Sequence, residues 1–306
     1  MLTRHSRSAS TDTKMSDPSR SDRPAATALR RLLWAIVNDD VLPDPVRLTA
    51  ALAGTRWTAI DVVAETGSTN ADLLGREGAP ADLDGAVLIA GLQTAGRGRH
   101  SRVWQTPRGQ LAVSAAVAVA PGQAEALGWL SLLAGMAVHK ALAEVTGVRV
   151  ELKWPNDILA PAGVPGEGLK VSGILSEFRP APGGGGVAVI GTGLNLDLSE
   201  AQPPIETAAC IRGMTGTAAD PTALSAAYLR ALSELLVRWP EAVGELAGEY
   251  RTASATLGRQ VRLVLPGDTE VIGTATGIDD QGRIVVEGPS GRVTAAAGDV
   301  THLRVR

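Results

Sequence analysis

Aromatic side chains are scarce in this chain: they make up 3% of 306 residues, with one phenylalanine and two tyrosines. A protein that grips nucleic acid through a basic loop wants aromatic platforms among its arginines, so the composition argues against that class. Net charge is also small, −3 at pH 7. That excludes wholesale attraction to nucleic acid or to an anionic membrane and leaves any electrostatic partner to a local patch. One cysteine, Cys210, rules out an intramolecular disulfide framework. It fits a reducing compartment, here the cytoplasm, and reads most simply as a small buried hydrophobe. No apolar run reaches the roughly 18 residues of a membrane span. The four histidines, His5, His100, His139 and His302, show no metal-ligand spacing; His139, among apolar neighbours on a predicted helix, reads as packed. The first 24 residues are polar and basic, without the apolar stretch of a secretory signal. Their Arg and Ser content faintly resembles a transit peptide, but three aspartates interrupt it, and a disordered extension is the better reading. Met15 is an alternative start.

Hydrophobic residues reach 44% and charged residues 20%, enough for a sizeable core. Residues 1–27 read as a disordered tail and 29–37 as a short amphipathic helix, followed by a Pro-containing connection. From residue 57 onward β and α signals alternate. Strands are expected at 60–63, 86–90, 111–119, 148–154, 170–178 and 187–191, the last two as a hairpin around the glycine run 183–186. Thr69-Asn70-Ala71-Asp72 is a helix start with Thr69 as its cap, and that helix stops near 75–78. Apolar spacing predicts a longer helix over 124–145, with Leu127, Leu130, Ala134, Ala137, Val138 and Leu142 on one face. Two more are expected at 221–239 and 241–251. The pattern changes near residue 256. Five short β-like runs, 260–265, 271–278, 283–287, 293–297 and 302–305, predict a small appended β-barrel.

The segment GLQTAGRGRHSRVW at 91–104 is the most unusual stretch. It places Arg97, Arg99, Arg102 and His100 among glycines and contains no acid. It is not a Walker A loop, and Ser101 occupies the sixth position where a dinucleotide fingerprint needs glycine. Arginine presents a planar fork of donors suited to carboxylate or phosphate, and glycines let the backbone reorganise around a ligand. Mutual repulsion among the arginines predicts a loop that orders on an anion; a merely solvated basic loop is the equal competitor. Other segments break the tie. Glu65-Thr66-Gly67-Ser68-Thr69-Asn70 offers hydroxyls and free N–H groups at a helix start. Lys153-Trp154-Pro155-Asn156-Asp157 ends a strand in a turn bearing an amide and a carboxylate. Lys170 opens an apolar strand beside Gly173, and Gly191-Thr192-Gly193-Leu194-Asn195 follows a buried-looking strand.

Taken together, GSTN at 67–70, QTAGRGRHSRVW at 93–104, KWPNDI at 153–158, KVSGIL at 170–175 and GTGLN at 191–195 resemble the biotin protein ligase family, over about residue 58 to the C-terminus. The resemblance implies an α+β fold: a biotin/lipoate protein ligase-like catalytic domain, with a mixed β-sheet and flanking helices, related to class II aminoacyl-tRNA synthetases. A small C-terminal SH3-like β-barrel follows it. The divisions are 1–27 (tail), 28–255 (catalytic domain) and 256–306 (barrel). The implied reaction joins biotin and MgATP to biotinyl-5′-adenylate, then passes biotin to a lysine of a biotin carboxyl carrier domain of an acyl-CoA or pyruvate carboxylase.

Residue by residue, the resemblance implies that Ser68, Thr69, Asn70, Gln93, Gly98 and Gly173 belong to the biotin site, with Arg97, Arg99 and Lys170 shared between biotin and phosphate. Lys170, Arg97 and Arg99 are the expected catalytic cations, and Lys170 bridges carboxylate and α-phosphate. Arg102, Trp104, Asn156, Asp157 and Asn195 are expected on the nucleotide side, with Asn156 and Asp157 organising ATP or its Mg²⁺; for Trp104, a place in the core is the comparable reading. The family loop commonly reads GRGR-x-GR, and Ser101 replaces its last glycine, which touches loop flexibility and not the chemistry. The rival readings are a lipoate or octanoate ligase and a biotin-responsive DNA-binding repressor. The segment before the catalytic region leaves room for one or two helices, so a monofunctional ligase without specific DNA binding or membrane attachment is expected, as a monomer or weak homodimer.

Overall fold

In the computed structural model, residues 42–201, 206–289 and 291–303 are described. The expected tail at 1–27 and helix at 29–37 lie outside them. The described chain falls within one compact unit, Asn38–Arg306. Its centre is a seven-stranded mixed sheet in the order β1-β2-β3-β7-β6-β5-β4. These strands are β1 Ala59–Thr66, β2 Ala86–Gln93, β3 Gln110–Val119, β4 Glu151–Lys153, β5 Asp157–Leu159, β6 Lys170–Pro180 and β7 Gly186–Asn195. Only β1 and β2 run parallel; every other neighbour is antiparallel.

The apolar run in β2 is explained by burial on both faces. Val87 and Ile89 face the main core, while Ala86 and Leu88 face a second cluster with Leu73, Leu83, Val187 and Val189. The main core is covered by α4 (Gly128–Thr146) and α6 (Pro221–Arg238). The remaining helices are α1 (Pro45–Ala51), α2 (Thr69–Gly75), α3 (Pro80–Leu83), α5 (Ile211–Thr215) and α7 (Val243–Ala253). Leu130, Ala134, Ala137, Val138 and Leu142 are buried as their spacing predicts.

Several boundaries differ from expectation. The cap of α2 is Ser68, whose Oγ accepts from Ala71 N at 3.4 Å, so Thr69 is released for other bonds. Helix α1 falls where a Pro-containing connection is expected; Asp44 caps it and Pro45 opens it, a start signal compressed into two residues. The long helix starts at Gly128, after a single 3-10 turn at Gln123–Ala126. A side chain at 128 would collide with the Gln281 carbonyl, which explains the glycine at that start. The alternation expected at 148–154 holds for burial, with Val150, Leu152 and Trp154 inside. Only Glu151–Lys153 pairs, with β5, which begins at Asp157, the last residue of the expected turn.

A second, antiparallel sheet follows in the order β11-β10-β9-β8-β12, the SH3-like unit. Its strands are β8 Gln260–Val264, β9 Glu270–Ile278, β10 Ile284–Gly288, β11 Gly291–Ala295 and β12 Asp299–His302. The last lies earlier than the expected 302–305. Gly298, at φ +154°, turns the chain against Val264, and pairing with β8 begins at the next residue. The two sheets are tied by indole donors: Trp129 Nε1 to Asp280 O at 3.1 Å and Trp154 Nε1 to Gly282 O at 3.3 Å. Among the described residues, no helix is long and apolar enough to cross a membrane.

Candidate functional site

A cleft of about 200 Å³ opens over β6 and β7, between the start of α2 and the 93–104 loop. Of the candidate residues, Ser68, Thr69, Asn70, Gln93, Arg97, Gly98, Arg99, Arg102, Trp104, Asn156, Asp157, Lys170 and Gly173 all line it. Asn195 does not. Its Oδ1 accepts from Gln110 Nε2 at 2.8 Å, and its Nδ2 donates to Lys170 O at 3.2 Å and Ala209 O at 2.9 Å. With all of these groups engaged and the residue 1% exposed, Asn195 braces the strand that carries Lys170, and the geometry does not bring it to a nucleotide.

One wall is a neutral hydrogen-bond bracket. Gln93 Oε1 receives both Thr69 N (3.0 Å) and Thr69 Oγ1 (3.1 Å). The Gln93 NH₂ donates to the buried Thr106 Oγ1 at 3.5 Å. Behind them Ser114 Oγ lies 2.7 Å from Thr69 Oγ1 and 2.6 Å from Asn70 Oδ1. Asn70 Nδ2 donates to Leu175 O at 3.0 Å and to Glu177 Oε2 at 2.8 Å. Asn70, although at the cleft wall, therefore has its amide fully committed to the scaffold.

The floor is bare. Gly173 and Gly193 face each other in register on β6 and β7. A Cβ on Gly193 would strike the Trp104 ring, and one on Gly173 would come within 2.7 Å of Lys170 Nζ and 2.9 Å of that ring. Lys170 Nζ sits 5.3 Å from the Trp104 ring centroid, a cation–π distance. Trp104 is half-buried and its Nε1 is buried without a hydrogen-bond partner.

The other wall carries the cations, and each meets a carboxylate. Lys170 Nζ is 2.5 Å from Asp157 Oδ1 and Arg97 Nη2 is 3.1 Å from Glu177 Oε2. Arg102 Nη2 is 2.6 Å from Asp299 Oδ2, and Arg99 Nη1 is 3.9 Å from Asp299 Oδ1. Arg99 also donates to Asn156 Oδ1 at 3.2 Å and to Gly298 O at 3.3–3.4 Å. Burial lowers the Arg99 pKa against the raising pull of Asp299 and Asp157, with Arg102 adding to the fall; the guanidinium stays charged at neutral pH. Partial burial opposes ionisation of Asp299, but the Arg102 hydrogen bond and charge outweigh it and hold the carboxyl below its ordinary range. The loop is thus already folded, through Gly98 N to Arg102 O (2.7 Å) and Trp104 N to Gly96 O (3.0 Å). Acids from other elements supply the counter-charge that the loop itself lacks. His100 and Ser101 adopt left-handed backbone, φ 53° and 58°. Ser101, the departure from the family pattern, therefore holds a conformation that suits glycine.

Three contributors escaped the sequence reading. Ser114 is the one hydroxyl inside the apolar strand β3, and Glu177 the one acid inside β6; both were visible as polar exceptions. Asp299 carried no signal, being 197 residues from Arg102. Cys210, expected as a buried hydrophobe, is half-buried and caps α5, its Sγ accepting from Gly213 N at 3.3 Å. His139 packs as expected, its Nδ1 2.6 Å from Val150 O.

Residues 66–195 match the Biotin/lipoate A/B protein ligase family and residues 256–303 the Biotin protein ligase C terminal domain. The chain is 44% identical over 257 residues to the biotin--[acetyl-CoA-carboxylase] ligase of Mycobacterium tuberculosis, covering 82% of this chain and 92% of that protein. It belongs to the biotin protein ligase family. The bifunctional ligase/repressor BirA of Escherichia coli is 31% identical over 80% of this chain and 75% of its own length. Among solved structures, the biotin protein ligase of Aquifex aeolicus in complex with biotin and ATP superimposes with a TM-score of 0.67. It is 27% identical, and the match covers 81% of this chain and all of that one. The described residues of this ligase include no group of three His, Cys, Asp or Glu side chains that could hold a metal. Mg²⁺ needs no such cage, because it binds through one or two carboxylates with substrate phosphates, and Asp157 at the cleft is a donor of that kind.

Proposed function

We propose that this chain is a biotin–[acetyl-CoA-carboxylase] ligase, activating biotin with MgATP and passing it to a carboxyl carrier domain. What carries the reading is the pairing, in one cleft, of a fixed neutral bracket with a ring of cations over a glycine floor. Biotin has the matching halves: a neutral polar ring system and a carboxylate tail. Ser68, Thr69 and Gln93 hold the head; Lys170, Arg97, Arg99 and Arg102 hold the carboxylate and phosphates. Gly173 leaves room for Lys170 and the Trp104 ring and Gly98 for the Arg102 backbone, and Trp104 covers the tail. Asn70 acts through the bracket. Residues 28–255 form the catalytic domain and 256–306 the barrel that supplies Asp299.

In the first step a biotin carboxylate oxygen attacks the α-phosphorus of ATP. The new O–P bond replaces the bond to pyrophosphate, which leaves. Two anions must approach, so fixed positive groups at the forming bond lower the barrier most, and orientation in the cleft supplies much of the remainder. Lys170, between carboxylate and α-phosphate, exchanges Asp157 for the developing charge. Mg²⁺, held by the triphosphate with Asp157, would neutralise phosphate charge. In the second step the carrier lysine amine attacks the acyl carbon and AMP departs. The partner is the carrier domain of an acyl-CoA or pyruvate carboxylase, and the ligase works in the cytoplasm as a monomer or weak dimer without specific DNA binding.

Incubation with labelled biotin, MgATP and a carrier domain tests this. The expected result is label on the carrier lysine, dependent on ATP. Transfer of octanoate or lipoate in preference to biotin would overturn the reading, and a tight, sequence-specific gel shift would overturn its monofunctional part.

A further inference from the structure

Glu177 lies behind the cleft wall, on β6 opposite Val189, and three observations meet at its Oε2 atom. It accepts from Asn70 Nδ2 at 2.8 Å. It pairs with Arg97 Nη2 at 3.1 Å. Its side chain is only 25% exposed, against 42% for Arg97, so the acid is the fixed member of the pair. Through Asn70 the carboxylate joins a continuous chain that runs by Ser114 Oγ and Thr69 Oγ1 to Gln93, whose Oε1 accepts from Thr69 N. One oxygen therefore links the rigid bracket to the first arginine of the cationic loop. The bracket leaves little freedom, since a side chain at Gly191 would collide with the Asn70 amide.

We infer that Glu177 is a positioning residue for this reaction: it fixes Arg97, and with it the entry of the loop, relative to the biotin head site. The inference rests on the proposed function for what is positioned. Arg97, Arg99 and Arg102 repel one another, and a loop bearing them must be ordered before it can clasp an anion. Ordering at the moment of binding is subtracted from affinity. A carboxylate anchored in the scaffold provides that order beforehand for Arg97, as Asp299 does for Arg102. Glu177 does not line the cleft, so its effect reaches the substrate through Arg97.

Glu177→Gln separates the two functions, because glutamine keeps an acceptor for Asn70 and removes the charge that holds Arg97. The ligand-free variant should be cut by trypsin after Arg97 several-fold faster than wild type. In adenylate formation its KM for biotin should rise about 5- to 10-fold, the size of one partly exposed charge-assisted contact. Its kcat should stay within about two-fold of wild type. In an Arg97→Ala background the same substitution should change KM by less than about two-fold, since the group it acts through is gone. An undiminished KM effect in that background, or unchanged tryptic cleavage of the ligand-free single variant, would overturn the inference. The cleavage measurement requires no substrate, so its outcome is independent of the proposed function, whereas absence of adenylate formation by the wild type would sink that reading alone.

Discussion

On the wall built from α2, β2 and β3, Thr69, Asn70, Gln93 and Ser114 bond one another at 2.6–3.1 Å with no charge among them. On the wall built from the 93–104 loop and the start of β6, Arg97, Arg99, Arg102 and Lys170 each face a carboxylate from another element. The first wall is satisfied before any ligand arrives. The second is held by ion pairs: Glu177 and Asp299 anchor Arg97 and Arg102, while Asp157 is the partner that Lys170 would exchange for an incoming anion. Substitutions on the first wall should therefore cost stability together with binding. Substitutions on the second should cost chemistry and leave the fold intact.

The largest test is Lys170→Gln. Loss of a preorganised donor at a developing charge costs about 10²–10³ in rate, so pyrophosphate release in a single turnover should fall at least about 100-fold while the melting temperature stays near wild type. A rate within a few-fold of wild type would move the catalytic charge to Arg97 or Arg99. Arg99→Ala comes next: calorimetry should show biotinyl-adenylate held about 10- to 100-fold more weakly. Ser114→Ala tests the neutral wall, because it removes a fully buried hydroxyl placed between Thr69 and Asn70. Denaturant unfolding should record a loss of about 1–3 kcal/mol, which no cation-side variant should match; equal losses on both walls would erase the contrast. Asp299→Asn should be milder. Arg99 retains Gly298 O and Asn156, so adenylate formation should drop only a few-fold, while tryptic cleavage after Arg102 speeds up.

The smallest effect concerns pH and the sheet that carries Asp299. Thr256 Oγ1 lies 3.1 Å from His302 Nε2 and accepts from Trp154 N at 3.2 Å, tying β12 to the turn that presents Asn156 and Asp157. Burial, with Lys153 and Arg259 nearby, pulls the His302 imidazole down from 6.5 to about 4. Between those values the unfolded chain takes up a proton that the folded chain refuses. Stability should therefore fall as pH drops from 6.5 towards 4 and level off below. His302→Gln should flatten that part of a melting-temperature profile; an unchanged slope would assign it to other groups.

Much of this was legible beforehand because chemistry and chain position coincided. The loop arginines, Lys170 and the Asn156-Asp157 turn are each announced by local sequence, and strand β3 by an apolar run that Ser114 alone interrupts from Leu111 to Val119. Boundaries failed where tertiary contacts set them. Gly128 starts α4 under the Gln281 carbonyl, and Gly298 moves β12 forward by three residues. Asn195 lies two residues beyond Gly193 and so on the same face of β7, but at the strand's end, where Gln110, Lys170 O and Ala209 O take up its amide; the motif spacing encodes the face and not those partners. The counter-charges were the least visible part. Glu177 and Asp299 bear on arginines distant in the chain, and no local pattern encodes a pairing made by folding.

That distance has a consequence for how the ligase is made. Arg102 leaves the ribosome 197 residues ahead of Asp299. At about 5–20 residues per second, synthesis of the intervening chain takes roughly 10 to 40 seconds. Once β7 has been made, ending at Asn195, the large sheet can assemble its cleft while Arg102 still lacks its own chain's carboxylate. The nascent cleft is therefore more electropositive than the finished one, and the emergence of β12 lowers its appetite for stray polyanions.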